Sequence, residues 1–364
     1  MINITDKVNC CGCNGCRNIC PIQCISMVAD EEGFLYPKID KNKCINCGMC
    51  ESICPSINDI NKVSKNLKTF AAKSRDSILR KSSSSGGIFT EICKYIIDNN
   101  GVVFGAKFDK EFNVVHSYAE SIEECAKFKG SKYVQSDINT MYSKAKEFLD
   151  NGRLVLFSGT QCQIKGLNLF LKKDYKNLIS LEVICHGVPS PLVMKLYTEH
   201  LKKQYNSTIK SMNFRDKITG WTKFSYSIYF DNGKVHSKTV SEEVYMRGFL
   251  KNLYLRPSCH DCKAKNLKSN SDISLADYWG VHKLHPNIDD KKGVSLVLVN
   301  SEKGMSIVKK IRPNIIIEET DLDYAIKRNP CIIKSIKSHE NREKFFKTIN
   351  STNIEENIIK QLNL

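Results

Sequence analysis

Apolar positions along the chain follow two rhythms that alternate. Over Gly87–Asn100, residues Ile88, Phe89, Ile92, Cys93, Ile96 and Ile97 recur at helical spacing, and Gly101 stops the run. Val102–Phe108 and Val114–Tyr118 read as strands joined by a turn at Asp109-Lys110. Thr140–Asp150 is helical, and Arg153–Phe157 is a short apolar strand running into Ser158-Gly159-Thr160. A helix Gln161–Lys172, a strand Leu178–Cys185 and a helix Pro191–Tyr205 follow. Phe224–Phe230 and Lys234–Val240 flank Asp231-Asn232-Gly233, and Asn-Gly is a favoured hairpin pair. Near the N-terminus, Cys24–Asp30 and Phe34–Asp40 form a shorter hairpin around Glu32-Gly33. Ser56–Lys68 is polar and patternless, a linker. The order predicts an α+β / mixed α/β chain: a small unit over 1–60, a linker over 61–68, and a larger domain over 69–364 with a helical tail from about 321.

An internal repeat sharpens the small unit. Cys10, Cys13, Cys16 and Cys20 precede Pro21, and Cys44, Cys47, Cys50 and Cys54 precede Pro55; both runs read C-x₂-C-x₂-C-x₃-C-P. Every member is offset by 34, as are Ile19 and Ile53, so two similar half-modules fold against each other. Three cysteines two residues apart can bind one [4Fe–4S] cluster from a tight loop, while the fourth points away to the other cluster. This gives two clusters, one on Cys10, Cys13, Cys16 and Cys54, the other on Cys44, Cys47, Cys50 and Cys20. Gly12, Gly15 and Gly48 are expected to let the backbone turn sharply near the sulfurs. Zinc favours paired knuckles with a longer spacer, and disulfides do not suit this pattern. Cys11 and Cys24 fall outside it.

Charge and composition change the picture less. The 364 residues carry a formal charge of +16 and 17 cysteines, with 41% apolar and 26% charged residues. Each cluster with its four thiolates contributes about −2, so two bring the charge to about +12 and a third to about +10. The remaining excess suits an acidic partner or a phosphate-bearing cofactor, but the lysines are scattered and no nucleic-acid reader motif accompanies them. No apolar run is long enough for a membrane span, and Met1–Asn9 lacks a signal's apolar core; the expected location is cytoplasmic. There, so many cysteines point to metal ligation or redox work.

In the larger domain, Ser82–Gly87 leads into a helix and can cradle a phosphate through backbone N–H groups, although an ordinary helix cap reads equally well. Lys129–Tyr133 is compatible with anion binding and ring stacking, but a solvated basic loop is the commoner reading. Cys259-x₂-Cys262, with Cys162 after a Gly159-Thr160 turn and Cys185 at a strand end, could converge on a third cluster. A lone C-x₂-C remains ambiguous among zinc, cluster and redox dithiol. Cys93, Cys125 and Cys331 read as buried structural thiols. His186 and His260 adjoin Cys185 and Cys259 and could be ligands or proton donors, though a structural or surface role is commoner. Asp277-Tyr278-Trp279-Gly280 gathers a carboxylate and two aromatics without a visible partner.

Taken in order, Ser84-Ser85-Gly86-Gly87, Gly130-Ser131-Lys132-Tyr133, Ser158–Gln163, Cys185–Pro191, Cys259-x₂-Cys262 and Asp272–Gly280 resemble the beta-subunit family of coenzyme F-420 (8-hydroxy-5-deazaflavin) hydrogenases and dehydrogenases, in the form with an N-terminal 2x[4Fe–4S] ferredoxin domain. The resemblance covers nearly the whole chain. It implies FAD, or FMN, in a larger flavin-binding domain, with Ser84, Ser85, Gly86, Gly87, Gly130, Ser131, Lys132 and Tyr133 as the candidates for holding it. It also implies a further [4Fe–4S] cluster, for which Cys162, Cys185, Cys259 and Cys262 are the candidates. Gln161 departs from the proline of many relatives. Substrates differ within the family and do not carry over.

The function expected is an iron–sulfur flavoprotein oxidoreductase. Electrons would pass between ferredoxin-type clusters and a flavin that exchanges hydride with an organic acceptor or donor, a deazaflavin or another small molecule. A redox partner protein, a ferredoxin or another oxidoreductase subunit, would serve the clusters. The alternative is a non-enzymatic relay subunit handing electrons to a partner enzyme.

Overall fold

A computed structural model describes residues 2–60, 64–350 and 353–363. The first three residues of the expected linker, 61–63, lie outside the described residues. The N-terminal unit contains the hairpin β1 (Ile25–Ala29) and β2 (Leu35–Ile39), antiparallel with Met27 opposite Pro37. Two short helices, Gly15–Ile19 and Met49–Ser52, face each other as the 34-residue offset requires. Their N-caps are the equivalent residues Asn14 (φ 60°) and Gly48 (φ 72°), both left-handed. Asparagine tolerates this conformation, and the Asn14 side chain donates to Asp137 of the larger domain.

Gly12 has the expected positive φ (69°), but Gly15 does not. Its need is space rather than conformation: a Cβ there would stand 2.8 Å from Ile53 Cδ1.

The strands that follow are β3 (Lys68–Ser74), β4 (Val102–Phe108), β5 (Val114–Ala119), β6 (Val155–Thr160), β7 (Leu178–Val183), β8 (Ile209–Asp216), β9 (Ser225–Phe230), β10 (Val235–Thr239), β11 (Ile273–Asp277), β12 (Ser295–Val299) and β13 (Ile315–Glu319). Eight of them build one mixed sheet in the order β13-β3-β12-β11-β7-β6-β4-β5. Strands β4, β6, β7 and β11 are mutually parallel. Strand β12 runs against β11 and β3 against β12, so β3 ends at the same sheet edge as the parallel four.

Alternation within the strands fills both faces. On one face, Val103, Leu156 and Val297 pack with Ile92 and Ile96 of the helix Ile88–Asp98 and with Ile307 of the helix Glu302–Ile311. On the other, Val102, Phe104, Val155 and Phe157 meet Tyr142 and Leu149 of the helix Met141–Asp150 and Ile164 and Leu167 of the helix Gln161–Leu171. Strands β8, β9 and β10 form a separate sheet, against which the helix Pro191–Tyr205 and the C-terminal residues Phe345, Ile354 and Ile358 pack.

The small unit docks on this body through polar contacts. Arg342 pairs with both carboxylate oxygens of Glu32 and donates to Leu255 O at 2.9 Å. Lys165 reaches Asp59 at 2.7 Å, and Ser143 N donates to Asn18 Oδ1 at 3.1 Å. Ser64 Oγ donates to Asn270 Oδ1 at 2.8 Å, which ties Ser64, in the expected linker, to the larger domain.

Candidate functional site

The eight repeat cysteines sort into two cavities, and the sorting crosses the sequence. Cys10, Cys13, Cys16 and Cys54 line one cavity, walled by Ile2, Ile4 and Met27. Cys20, Cys44, Cys47 and Cys50 line a second, walled by Ile22, Ile25, Ile39 and Ile45. Each cavity takes three sulfurs from one motif and the last from the other. Burial pushes the Cys16 thiol up to about 12, and the nearby sulfurs of Cys10 and Cys54 push the same way. Thiolates crowded in an apolar wall need a cationic core among them, which is what a cluster supplies. Cys24 was outside the repeat, yet it lines the second cavity with its sulfur 3.5 Å from that of Cys20.

Cys162, Cys185, Cys259 and Cys262 also come together. Cys162 is the second residue of the helix Gln161–Leu171, which starts where β6 ends, and Cys185 follows β7 by two residues. Cys259 and Cys262 lie on a 3₁₀ turn and its cap. Burial raises Cys259 to about 12 and Cys262 to about 11, and Cys185 rises for the same reason. In each case charges on other members of the set add to the rise. Lys265 is buried beside them and donates to Cys185 O and to Cys331 O, the latter at 2.7 Å.

Cys93 is fully buried and hydrogen-bonded to Cys125. Cys331 is only partly covered, its sulfur 3.8 Å from His186 Nδ1. His186 Nε2 lies 2.6 Å from Asn252 Oδ1 and His260 Nδ1 lies 3.2 Å from Ile336 O, contacts that fix both rings in the structure.

Sequence reasoning missed Cys11. Its sulfur lies beside those of both Cys13 and Cys162. One turn along the same helix, the Cβ position of Gly166 is 3.0 Å from Cys13 Sγ. The first cavity and the four-cysteine set of the larger domain therefore meet through side-chain contact. Only the unpaired Cys-Cys at 10–11 hinted at this in the sequence.

The two loops singled out in the larger domain meet at the sheet edge where β3, β4, β6, β7 and β11 end, the usual position of sites in such sheets. Ser131 N donates to Ser84 Oγ at 2.8 Å, and Lys129 Nζ to Ser82 Oγ at 3.3 Å. Gly86 is needed for close approach: a Cβ there would stand 2.5 Å from Ala72 O and 2.7 Å from Ser295 N. Gly87 caps the helix Ile88–Asp98 in the left-handed region, and Gly130 has φ 82° with open space around it. Lys132 is buried against the carbonyls of Lys129 and Gly130, both 3.1 Å away, and burial pulls it down to about 7. Tyr133 stacks on Phe249 at 4.8 Å, and its hydroxyl lies near Arg215 and Ser131.

Arg215, Lys217 and Trp221 complete this corner. Lys217 Nζ donates to Ser85 O at 2.7 Å, and burial pulls it down to about 8. Asp277 accepts from Arg215 at 2.9 Å and from Trp221 Nε1 at 2.8 Å. Trp221 lies flat on Trp279, 5.4 Å between ring centres. Asp277 and Trp279 thus have the partners that the sequence did not display. Buried donors remain free here: among the described residues Arg80 Nε and Arg215 Nε have no hydrogen-bond partner. Unpaired buried groups are costly, and a polyanionic ligand would satisfy them.

His116, on β5 beside this edge, is buried with Nε2 3.1 Å from Ser158 O and Nδ1 unpartnered. Burial holds it down at about 4, against the usual 6.5. The unfolded chain takes up this proton first, so stability is lost as pH falls from about 6.5 to about 4. Thermal unfolding across that window is expected to show a loss on the order of 3 kcal/mol that His116→Gln abolishes. An unchanged slope in the variant would contradict the assignment.

A family model for the 4Fe-4S dicluster domain matches residues 9–58. Models for the N-terminal and C-terminal parts of the coenzyme F420 hydrogenase/dehydrogenase beta subunit match residues 69–142 and 152–325, together about two thirds of the chain. The chain belongs to the coenzyme F420 hydrogenase/dehydrogenase beta-subunit family. It is an iron–sulfur electron-transfer member of that family. The N-terminal family segment holds Ser84–Gly87 and Gly130–Tyr133, and the C-terminal one holds the four later cysteines. No curated protein matches the chain. A chain in a xenon-derivatized structure of the F420-reducing [NiFe] hydrogenase complex from Methanosarcina barkeri is 17% identical, covering 84% of this chain and 94% of that one, with a TM-score of 0.49. No helix is long and apolar enough to cross a membrane.

Proposed function

We propose that this family member is a flavin-dependent iron–sulfur oxidoreductase. In this reading Cys10, Cys13, Cys16 and Cys54 hold one [4Fe–4S] cluster, Cys20, Cys44, Cys47 and Cys50 a second, and Cys162, Cys185, Cys259 and Cys262 a third. Ser84–Gly87 and Gly130–Tyr133 hold FAD or FMN. Such clusters pass single electrons, and a flavin exchanges two of them as a hydride with a small organic acceptor or donor.

The observation that carries the reading is the junction made by Cys11 and the helix Gln161–Leu171. Cys162 lies beside Cys11, and the Cβ position of Gly166 is 3.0 Å from Cys13 Sγ, so the helix that carries Cys162 packs directly on the first cysteine loop. Lys217, Arg215 and the loop amides supply positive charge where a flavin's phosphate would lie. At the far end, Cys47 is exposed and Ile45 is 63% exposed, an apolar rim suited to a redox partner protein.

The test is anaerobic purification with iron, sulfide and flavin assayed together. About 12 irons and one flavin per chain are expected. A fully iron-loaded chain that contains no flavin and binds neither FAD nor FMN would overturn the enzyme reading.

A further inference from the structure

Arg256 stands between the first cavity and the four-cysteine set of the larger domain, and it is 0% exposed. Its guanidinium donates from Nε to Cys10 O at 2.7 Å, from Nη1 to Gln135 Oε1 at 2.8 Å and from Nη2 to Leu35 O at 2.9 Å. Tyr36 covers it at 4.3 Å and Phe34 at 5.4 Å. Every acceptor is neutral. Among the described residues no carboxylate pairs with it, an unfavourable state for a buried cation. The groups whose charge it feels are Cys10, Tyr36, Cys11 and Cys259.

The backbone repeats the link. Arg256 O accepts from Cys259 N at 2.9 Å, while Gln135 Nε2 donates to Cys11 O at 3.0 Å. A Cβ on Gly12 would stand 2.8 Å from Arg256 Nη1, so the cysteine loop presses directly on the guanidinium. One residue thus joins both sets, through its side chain at Cys10 and its backbone carbonyl at Cys259, and brings a buried charge with no carboxylate paired to it among the described residues.

We propose that Arg256 is a positioning residue whose cation is shared between the Cys10/Cys13/Cys16/Cys54 cluster and the Cys162/Cys185/Cys259/Cys262 cluster, holding the two at fixed separation and favouring their reduced states. The inference rests on the proposed cluster assignment. A cluster gains negative charge on reduction, so a nearby buried cation raises its potential. The lining of the second cavity includes none of the groups whose charge bears most on Arg256, so the second cluster serves as the internal control.

The experiment is a redox titration followed by electron paramagnetic resonance on the full chain, with Arg256→Met and Arg256→Lys beside wild type. In Arg256→Met the first and third clusters are expected to become at least tenfold harder to reduce, about 59 mV for a one-electron couple. The second cluster should not move, and Arg256→Lys should stay near wild type in all three. A loaded Arg256→Met with no shift overturns the proposal, as do equal shifts in the two variants. If Arg256→Met cannot hold iron, a loaded Arg256→Lys supports the charge requirement, and its failure to load overturns it. Wild type without about 12 irons would instead sink the cluster assignment itself.

Discussion

Replacing Cys54 by serine is expected to lower iron from about 12 to about 8 per chain, removing the cluster held by the other motif. Cys54 follows Cys50 in sequence but lines the cavity of Cys10, Cys13 and Cys16. Pairs of substitutions separate the possibilities. Cys10→Ser with Cys54→Ser should lose no more iron than either alone, whereas Cys44→Ser with Cys54→Ser should lose about twice as much. The reverse pattern would show that each motif closes on its own cluster. Cys20→Ser is expected to be milder, because Cys24 lies within 3.5 Å of it in the same cavity and can replace it as a ligand. Loss should become complete in Cys20→Ser with Cys24→Ser.

The second large effect concerns Cys259 and Cys262. Replacing both by serine is expected to remove about four irons and to disconnect the two domains electronically. The N-terminal clusters should still be reduced by a one-electron donor, and the flavin should still be reduced directly by a two-electron donor. Electrons added at the clusters should no longer reach the flavin. Anaerobic stopped-flow absorbance resolves these events. Unimpaired flavin reduction by the one-electron donor in the variant would exclude these cysteines from the path. Cys185, Cys259 and Cys262 are raised by burial and by other members of the set, so without a bound metal they hold protons. Serine at two of the positions leaves too few sulfur ligands to hold a cluster.

Local structure was largely legible because it rests on local rules. The hydrophobic rhythm placed the helix Pro191–Tyr205 and the strand Val102–Phe108 at their observed ends, with Ser190 capping the helix through Val193 N. The cysteine spacing carried the dicluster domain, since ligand geometry is written into neighbouring residues. Long-range pairing was not legible. Strand β3 lies between β12 and β13, more than two hundred residues away in sequence, and nothing near Lys68 announces this. The sheet edge depends on that order, so the meeting of Ser84 with Ser131 could not be read either.

Single residues with no motif were the other blind spot. Arg215, Lys217 and Arg256 look like any of the 55 basic residues until their burial is known. Cys11 and Cys24 looked like leftovers, because only folding brings one to Cys162 and the other to Cys20. Cys331 was expected among buried structural thiols with Cys93 and Cys125, but it borders His186 and Lys265 at the edge of the third cysteine set.

The central claim is that electrons cross from the N-terminal clusters to a flavin in the larger domain. A single-turnover experiment tests it most directly: the anaerobic, cluster- and flavin-loaded chain is mixed with a one-electron protein donor while cluster and flavin absorbance are followed separately. Cluster bleaching is expected first, followed by full flavin reduction at a rate independent of chain concentration, as an intramolecular step requires. Reduced clusters beside a flavin that stays oxidised, or one reduced only in proportion to chain concentration, would contradict it.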